Sequence, residues 1–275
     1  MDEDRKILFD KERGQLDLSK KLIYSGLFYD GDNTAFDEFD KAYIDLDSVV
    51  SRVLDYDLPT FKTLSNELVH FIMDVLKDFF IMHGDTMQIY VVYSFDKSKI
   101  FTSVYPDWNK KRYERYKNAR IMQFLNTALI PRLAKLGNTV KNIEIIKAKD
   151  SPVVSILKLL RMNASDANPV VITRDPHYSC LIAHIPNLSI YNGKNVLNAI
   201  TLKDEKGYPN IHVALLPQYF LLCGMKRNEY AGIKKIGPKT AEKIINEDKL
   251  GVINYTNDTI AEVAKYKNLF TFEEV

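Results

Sequence analysis

Long hydrophobic runs are missing from this 275-residue chain. No stretch approaches the roughly 18 uncharged apolar residues of a membrane span, and the charged start from Met1 to Lys6 has no apolar segment behind it, so neither a spanning helix nor a secretory leader is expected. Cysteine is nearly absent too. Cys180 and Cys223 stand in apolar contexts, without a Cys-x-x-Cys pair or a histidine cluster at zinc spacing, which argues against a disulfide scaffold or a zinc module and for buried free thiols. A reducing compartment follows, and a cytoplasmic protein, in a host cell if the source is viral. An excess of one charge sign is also lacking: Lys+Arg at 38 against Asp+Glu at 36 leave a formal +2. Any surface for nucleic acid must therefore come from segregated charge. No internal repeat or low-complexity segment is present.

What the chain does have is apolar content, 46% of its residues, ample for the core of one large α/β domain or one domain with an appended module. Residues 1–40 mix charges without a sustained period and end in Asp30, Asp32, Asp37, Glu38 and Asp40, which reads as an N-terminal extension and a candidate arm for a protein complex. From Phe61, apolar residues recur as Leu64, Leu68, Phe71, Ile72, Val75, Leu76 and Phe79, the spacing of an amphipathic helix, broken at Gly84-Asp85. Gln88 to Phe95, Ile143 to Ile146 and Pro169 to Thr173 read as buried strands. Strands alternating with helical patterns predict a parallel twisted sheet flanked by helices. The expected division is 1–40 extension, 41–214 α/β core and 215–275 C-terminal module.

Three of the strand-like runs end on an aspartate: Ala-Tyr-Ile-Asp45, Tyr-Ser-Phe-Asp96 and Val-Val-Ile-Thr-Arg-Asp175. One such aspartate is ordinarily a turn or helix cap, but groups at the carboxyl ends of parallel strands converge on one crevice and can share a divalent metal. The segment from 109 to 136 has two characters. Its first half holds Lys110, Lys111, Arg112, Arg115, Lys117 and Arg120, interleaved with Tyr113 and Tyr116; its second half holds Ile121, Phe124, Leu125, Leu129 and Leu133. The cations read either as a solvated helix face or as a nucleic-acid surface with stacking rings. Further on, Gly232-Ile-Lys-Lys-Ile236-Gly237-Pro238-Lys239 predicts a tight turn opening a helix from Pro238 to about Asn246. Backbone N–H groups at such a start bind phosphate without reading sequence, and Lys239 and Lys243 add charge beside it.

Taken in order, Tyr-Ile-Asp45-Leu-Asp47-Ser, Tyr-Ser-Phe-Asp96, Tyr-Pro-Asp-Trp-Asn-Lys-Lys-Arg, Val-Val-Ile-Thr-Arg-Asp175, Leu-Leu-Cys-Gly224 and the glycine turn resemble the flap endonuclease and phage 5′-to-3′ exonuclease family, from about Tyr43 to Asn246. The resemblance implies a PIN-like nuclease core, a basic arch over the active site near 109–136, and a helix-hairpin-helix gripping duplex or branched DNA, with K⁺ at the hairpin. It implies Mg²⁺ or Mn²⁺ chemistry, with Asp45, Asp96 and Asp175 as catalytic residues. Asp47 and Asp150 complete the acidic groups available to a metal.

The departures point the other way. Where the family has an acidic cluster after its third strand, this chain reads Lys147-Ala-Lys149-Asp150-Ser-Pro. The second member of the family's Asp-x-Asp pair is His177, and Met225-Lys226-Arg227-Asn228 lacks the aspartate expected after Leu-Leu-Cys-Gly. Two Mg²⁺ ions about 4 Å apart require several hard anionic ligands, and lysines nearby repel them. His177 reads as a satisfied structural histidine, because imidazole suits zinc better than magnesium. Two hypotheses remain open: a DNA-binding or scaffold relative in replication or transcription, with weak or lost nuclease activity, and an active structure-specific 5′ nuclease. A third class is an unrelated α/β protein.

Overall fold

The computed structural model describes residues 9–10, 15–16, 36, 38–54, 72, 76, 79–80, 83–104, 106–108, 110, 114, 119–162, 167–193, 195–205, 208–225 and 230–247. Strands β1 (Phe9–Asp10) and β2 (Gln15–Leu16) pair antiparallel by themselves. The main sheet contains β3 (Lys41–Asp45), β4 (Gln88–Tyr93), β5 (Ile143–Lys147), β6 (Pro169–Ile172), β7 (Ser189–Tyr191) and β8 (Val196–Leu197) in the order β5-β4-β3-β6-β7-β8. Every pairing is parallel except β7 with β8. The expected α/β architecture holds.

Burial follows position in the sheet. The inner β6 is buried at all four residues and β3 at all but its first, whereas edge strand β5 exposes Glu144 and Lys147. A strand covered on both faces needs a continuous apolar run, and Ala42-Tyr43-Ile44 supplies one. Ala42 and Ile44 face one core with Val91, Leu125 and Leu133; Tyr43 faces the other with Ile156, Val171 and Leu222. Tyr43 stacks on Tyr90 there, with centroids 5.0 Å apart.

Helices cover both faces: α1 (Leu46–Leu54), α2 (Lys99–Val104), α3 (Ala119–Phe124), α4 (Ile130–Thr139) and α5 (Pro152–Met162), then α6 (Leu216–Cys223) and α7 (Pro238–Glu247). Between α3 and α4 the chain makes a π turn over Leu125–Leu129, with the Ile130 N–H donating to the Leu125 carbonyl. Pro131 has no N–H for the carbonyl one turn back, and the wider turn accommodates that while burying Leu125, Leu129 and Leu133. Of the predicted helix starting at Phe61, the described Ile72, Leu76, Phe79 and Phe80 are helical and buried; the remainder lies outside the described residues. Phe36 and Phe39, assigned to the extension, are buried against the core. Leu222, Ile233, Ala241 and Ile245 of the C-terminal segment share a core with Tyr43 and Tyr178. No helix among the described residues is long and apolar enough to cross a membrane.

The chain runs β3 to β4 to β5 outward on one side, then returns to place β6 on the other side of β3. That reversal opens a crevice at the carboxyl ends of β3 and β6, where ligands of open parallel sheets bind.

Candidate active-site crevice and nucleic-acid interface

Asp45 is the last residue of β3 and caps α1: its Oδ1 accepts the Ser48 N–H at 3.1 Å. Its Oδ2 accepts the Thr173 hydroxyl at 3.2 Å, across from β6. The same hydroxyl accepts the Asp175 N–H at 3.0 Å, so Thr173 ties the two aspartates at the switch point together. Asp175 in turn caps the 3₁₀ turn Pro176–Leu181, accepting the His177 N–H at 3.1 Å, and its Oδ1 also pairs with His177 Nδ1 at 3.1 Å. Asp45 and Asp175 are only 2% and 3% exposed.

The Tyr178 ring is fully buried beside them. Burial foremost, then the charges of Asp45 and Asp175, pushes its phenol well above the ordinary value. A protonated hydroxyl therefore sits among carboxylates, close to Asp45 but without a hydrogen bond of good geometry. Beneath it, burial chiefly and Asp175 secondarily push the Cys180 thiol up, which leaves it an unreactive packing group.

Asp96 and its turn are built differently. The Asp96 side chain is exposed, and its N–H donates to Ser94 Oγ at 3.3 Å. Preceding it, Phe95 takes a left-handed backbone with φ 58°, disfavoured for a bulky residue. Asp47, from the first turn of α1, holds that turn by accepting the N–H groups of Ser94 and Phe95 at 3.0 and 2.9 Å. Asp150 grips the other end, accepting the Ser98 hydroxyl and the N–H groups of Lys99 and Ile100 at 2.7 and 3.2 Å, as a cap for α2. The Ser94 hydroxyl donates to the Asp150 carbonyl at 2.8 Å.

All five candidate acidic residues thus lie at one end of the sheet: Asp45 closes β3, Asp47 is in α1, and Asp96, Asp150 and Asp175 follow β4, β5 and β6. Asp45 and Asp175 meet through Thr173, while Asp47 and Asp150 converge on the Asp96 turn. Among the described residues, no group of three or more His, Cys, Asp or Glu side chains is placed to hold a metal ion. His177 is 8% exposed, packed on Trp108 at 4.3 Å between centroids and on Phe101 at 6.1 Å. Sequence reading missed Tyr178 and the serine and threonine donors; the spacing Asp45-x-x-Ser48 is the one local signal, since it matches a capping aspartate.

Of the cations expected to form a basic arch, Lys110 is exposed and pairs with Asp107 at 3.3 Å. Lys111, Arg112, Arg115 and Lys117 lie outside the described residues, and of Arg120 only the backbone, in α3, is described. At the hairpin, α6 ends at Gly224 and the Ile233 N–H returns to the Leu222 carbonyl at 2.8 Å. Gly232 has φ 68°, and a Cβ there would lie 2.2 Å from the Gly224 nitrogen, so only glycine fits. Ile236 is half-buried against the core. Gly237 is the opposite case, with no atom within 4 Å of its notional Cβ. It precedes α7, whose exposed Lys239 and Lys243 lie one turn apart; Lys243 also pairs with Glu247 at 3.6 Å.

Solved structures share this fold. The chain superposes on the bacteriophage T5 5′-exonuclease with bound zinc at a TM-score of 0.55 and 15% identity, covering 84% of this chain and 86% of that one. A bacteriophage T5 flap endonuclease pseudo-enzyme–product complex with DNA and metal ions superposes at 0.54 with 16% identity and the same coverage. The fold is that of the T5 5′-exonuclease. No protein-family model matches the chain, and no curated protein matches its sequence. On this 5′-exonuclease fold, Asp45 and Asp175 sit at the switch point of the sheet and the glycine turn joins two helices at its C-terminal side.

Proposed function

We propose that this chain is a nucleic-acid-binding protein on the 5′-exonuclease fold, with weak or lost hydrolysis, acting as a DNA-binding or scaffold subunit. In this reading residues 41–214 are the PIN-like core, 215–275 the helix-hairpin-helix module and 1–40 an arm for a protein complex. The observation that carries it is the state of the carboxylates. Asp47 and Asp150 accept backbone N–H groups, and Asp175 is engaged by His177. A pair of Mg²⁺ or Mn²⁺ ions needs carboxylate oxygens directed at the metals and excess negative charge around them. The residues present do not fit such a pair. Phosphate binding through the hairpin needs no metal in the crevice, only the open backbone at Gly237 and the lysines of α7.

An active 5′ nuclease is the second reading, favoured by the convergence of Asp45 and Asp175 on Thr173. Purified protein incubated with 5′-labelled flap and nicked duplexes in Mg²⁺ or Mn²⁺ separates the two. Binding without turnover is expected; turnover that disappears in Asp96→Ala would establish the active enzyme instead. Replacing the DNA with RNA or a hybrid of the same sequence identifies the class of nucleic acid held.

A further inference from the structure

We propose that Lys97, Lys99, Lys147 and Lys149 form a metal-independent seat for a phosphodiester backbone, on the rim of the crevice beside Asp96. The proposal rests on the nucleic-acid-binding reading and adds a second contact surface to the hairpin. Lys97 lies on the turn after β4 and Lys99 opens α2, while Lys147 closes β5 and Lys149 lies on the turn after it. The strands pair in register through Tyr93 and Lys147, and the Ala148 N–H continues the ladder to the Tyr93 carbonyl at 2.7 Å. The Ser94 hydroxyl and the Asp150 carboxylate then bind the turns together. All four lysines are exposed on this braced surface.

Their ammonium groups are not paired off by carboxylates among the described residues. Lys97 Nζ reaches the Pro106 carbonyl at 2.7 Å, while Lys99, Lys147 and Lys149 form no ion pair with another described residue. Two aspartates share these segments, and one of them, Asp150, is occupied as a helix cap. Over residues 96–99 and 147–150, four lysines stand against two aspartates, with the buried Asp47 carboxylate behind the first of the two segments. Such a rim opposes a divalent cation and attracts phosphate, at little desolvation cost because the ammonium groups remain in water. A polyanion of regular charge spacing gains most from it, because each phosphate neutralised releases a condensed counterion. An isolated anion gains no such release.

The test is fluorescence anisotropy with a 5′-labelled flap duplex in EDTA, between about 50 and 200 mM salt. It compares the wild type, Lys147→Glu with Lys149→Glu, and Lys239→Glu with Lys243→Glu. The rim variant is expected to melt at the wild-type temperature, since both residues are exposed. It should bind about tenfold more weakly, with a log–log salt slope shallower by about two. Unchanged affinity and slope in the rim variant, with binding lost in the hairpin variant, would overturn the rim and leave the parent reading standing. A wild type that binds no flap, duplex or single strand would overturn both. Displacement of the duplex by polyglutamate at equal charge, sensitive to the same rim substitutions, would mark an acidic-protein surface and overturn the assignment to nucleic acid.

Discussion

Replacing Asp47 separates a structural clamp from a metal ligand by the sign of the effect. The side chain is 1% exposed, and its two oxygens accept the Ser94 and Phe95 N–H groups. Both donors belong to buried residues. Asp47→Ala leaves two donors without an acceptor, each costing roughly 1–3 kcal/mol, and removes the support of a left-handed Phe95 that itself costs about 1–2 kcal/mol. The expected loss is about 2–6 kcal/mol from the two donors, a large share of a typical folding free energy of roughly 5–15 kcal/mol. Asp47→Asn keeps one acceptor and turns an amide N–H toward the other donor, for a loss of about 1–3 kcal/mol. Urea unfolding followed by circular dichroism, in EDTA, measures both. If Asp47 were chiefly one of a cluster of anionic ligands, neutralising it without metal would relieve repulsion from Asp45 and Asp175 and raise stability. An Asp47→Asn protein as stable as wild type, or more so, refutes the clamp.

Gly232→Ala places a Cβ 2.2 Å from the Gly224 nitrogen at φ 68° and should lower stability by roughly 2–4 kcal/mol, read from the same unfolding curves. Gly237→Ala meets no atom within 4 Å and should leave the melting temperature nearly unchanged while weakening duplex binding, measured by anisotropy, because the methyl group intrudes where a phosphate approaches. Tyr178 supplies a pH prediction. Its phenol is raised above the ordinary 10.0 by burial and then by Asp45 and Asp175, so the unfolded chain loses that proton first as pH rises. Stability is unaffected by this group below pH 10 and falls above it. Tyr178→Phe should flatten that alkaline fall in thermal melts taken from pH 8 to 11; an unaltered slope would show that the phenol is not shielded.

Much of the architecture was legible along the chain. The strands at Gln88 and Pro169 begin where the β-branched and aromatic runs begin, because a strand covered on both faces has few other compositions open to it; the strand at Ile143 also begins as expected but is a partly exposed edge strand, not a buried one. The helix at Pro238 starts where proline and the preceding glycine require, and ends at Glu247, one residue past the expected Asn246. Asp45 closes β3, whereas Asp96 and Asp175 stand three residues beyond the ends of β4 and β6; a parallel sheet delivers its strand tips, and the turns that follow them, to one edge. Ile72, Leu76 and Phe79 of the amphipathic segment from Phe61 are helical and buried, as their spacing requires, while the rest of that segment and most of the cations from Lys110 to Arg120 lie outside the described residues.

What the linear order left open was the task of each carboxylate. Asp47 and Asp150 look like members of an acidic metal set because composition records charge and not the direction of lone pairs. Their partners are 47 to 52 positions away, at Ser94 and Phe95 for one and Ser98 to Ile100 for the other, and only the parallel pairing of β3, β4 and β5 brings those donors within reach. The same pairing lines up the lysines of two separate segments on one rim. Sequence by itself determined which segments fold and which polar groups arrive at the crevice; the tertiary structure decided which of those groups bind backbone and which face solvent, because hydrogen-bond partners are chosen by position in space.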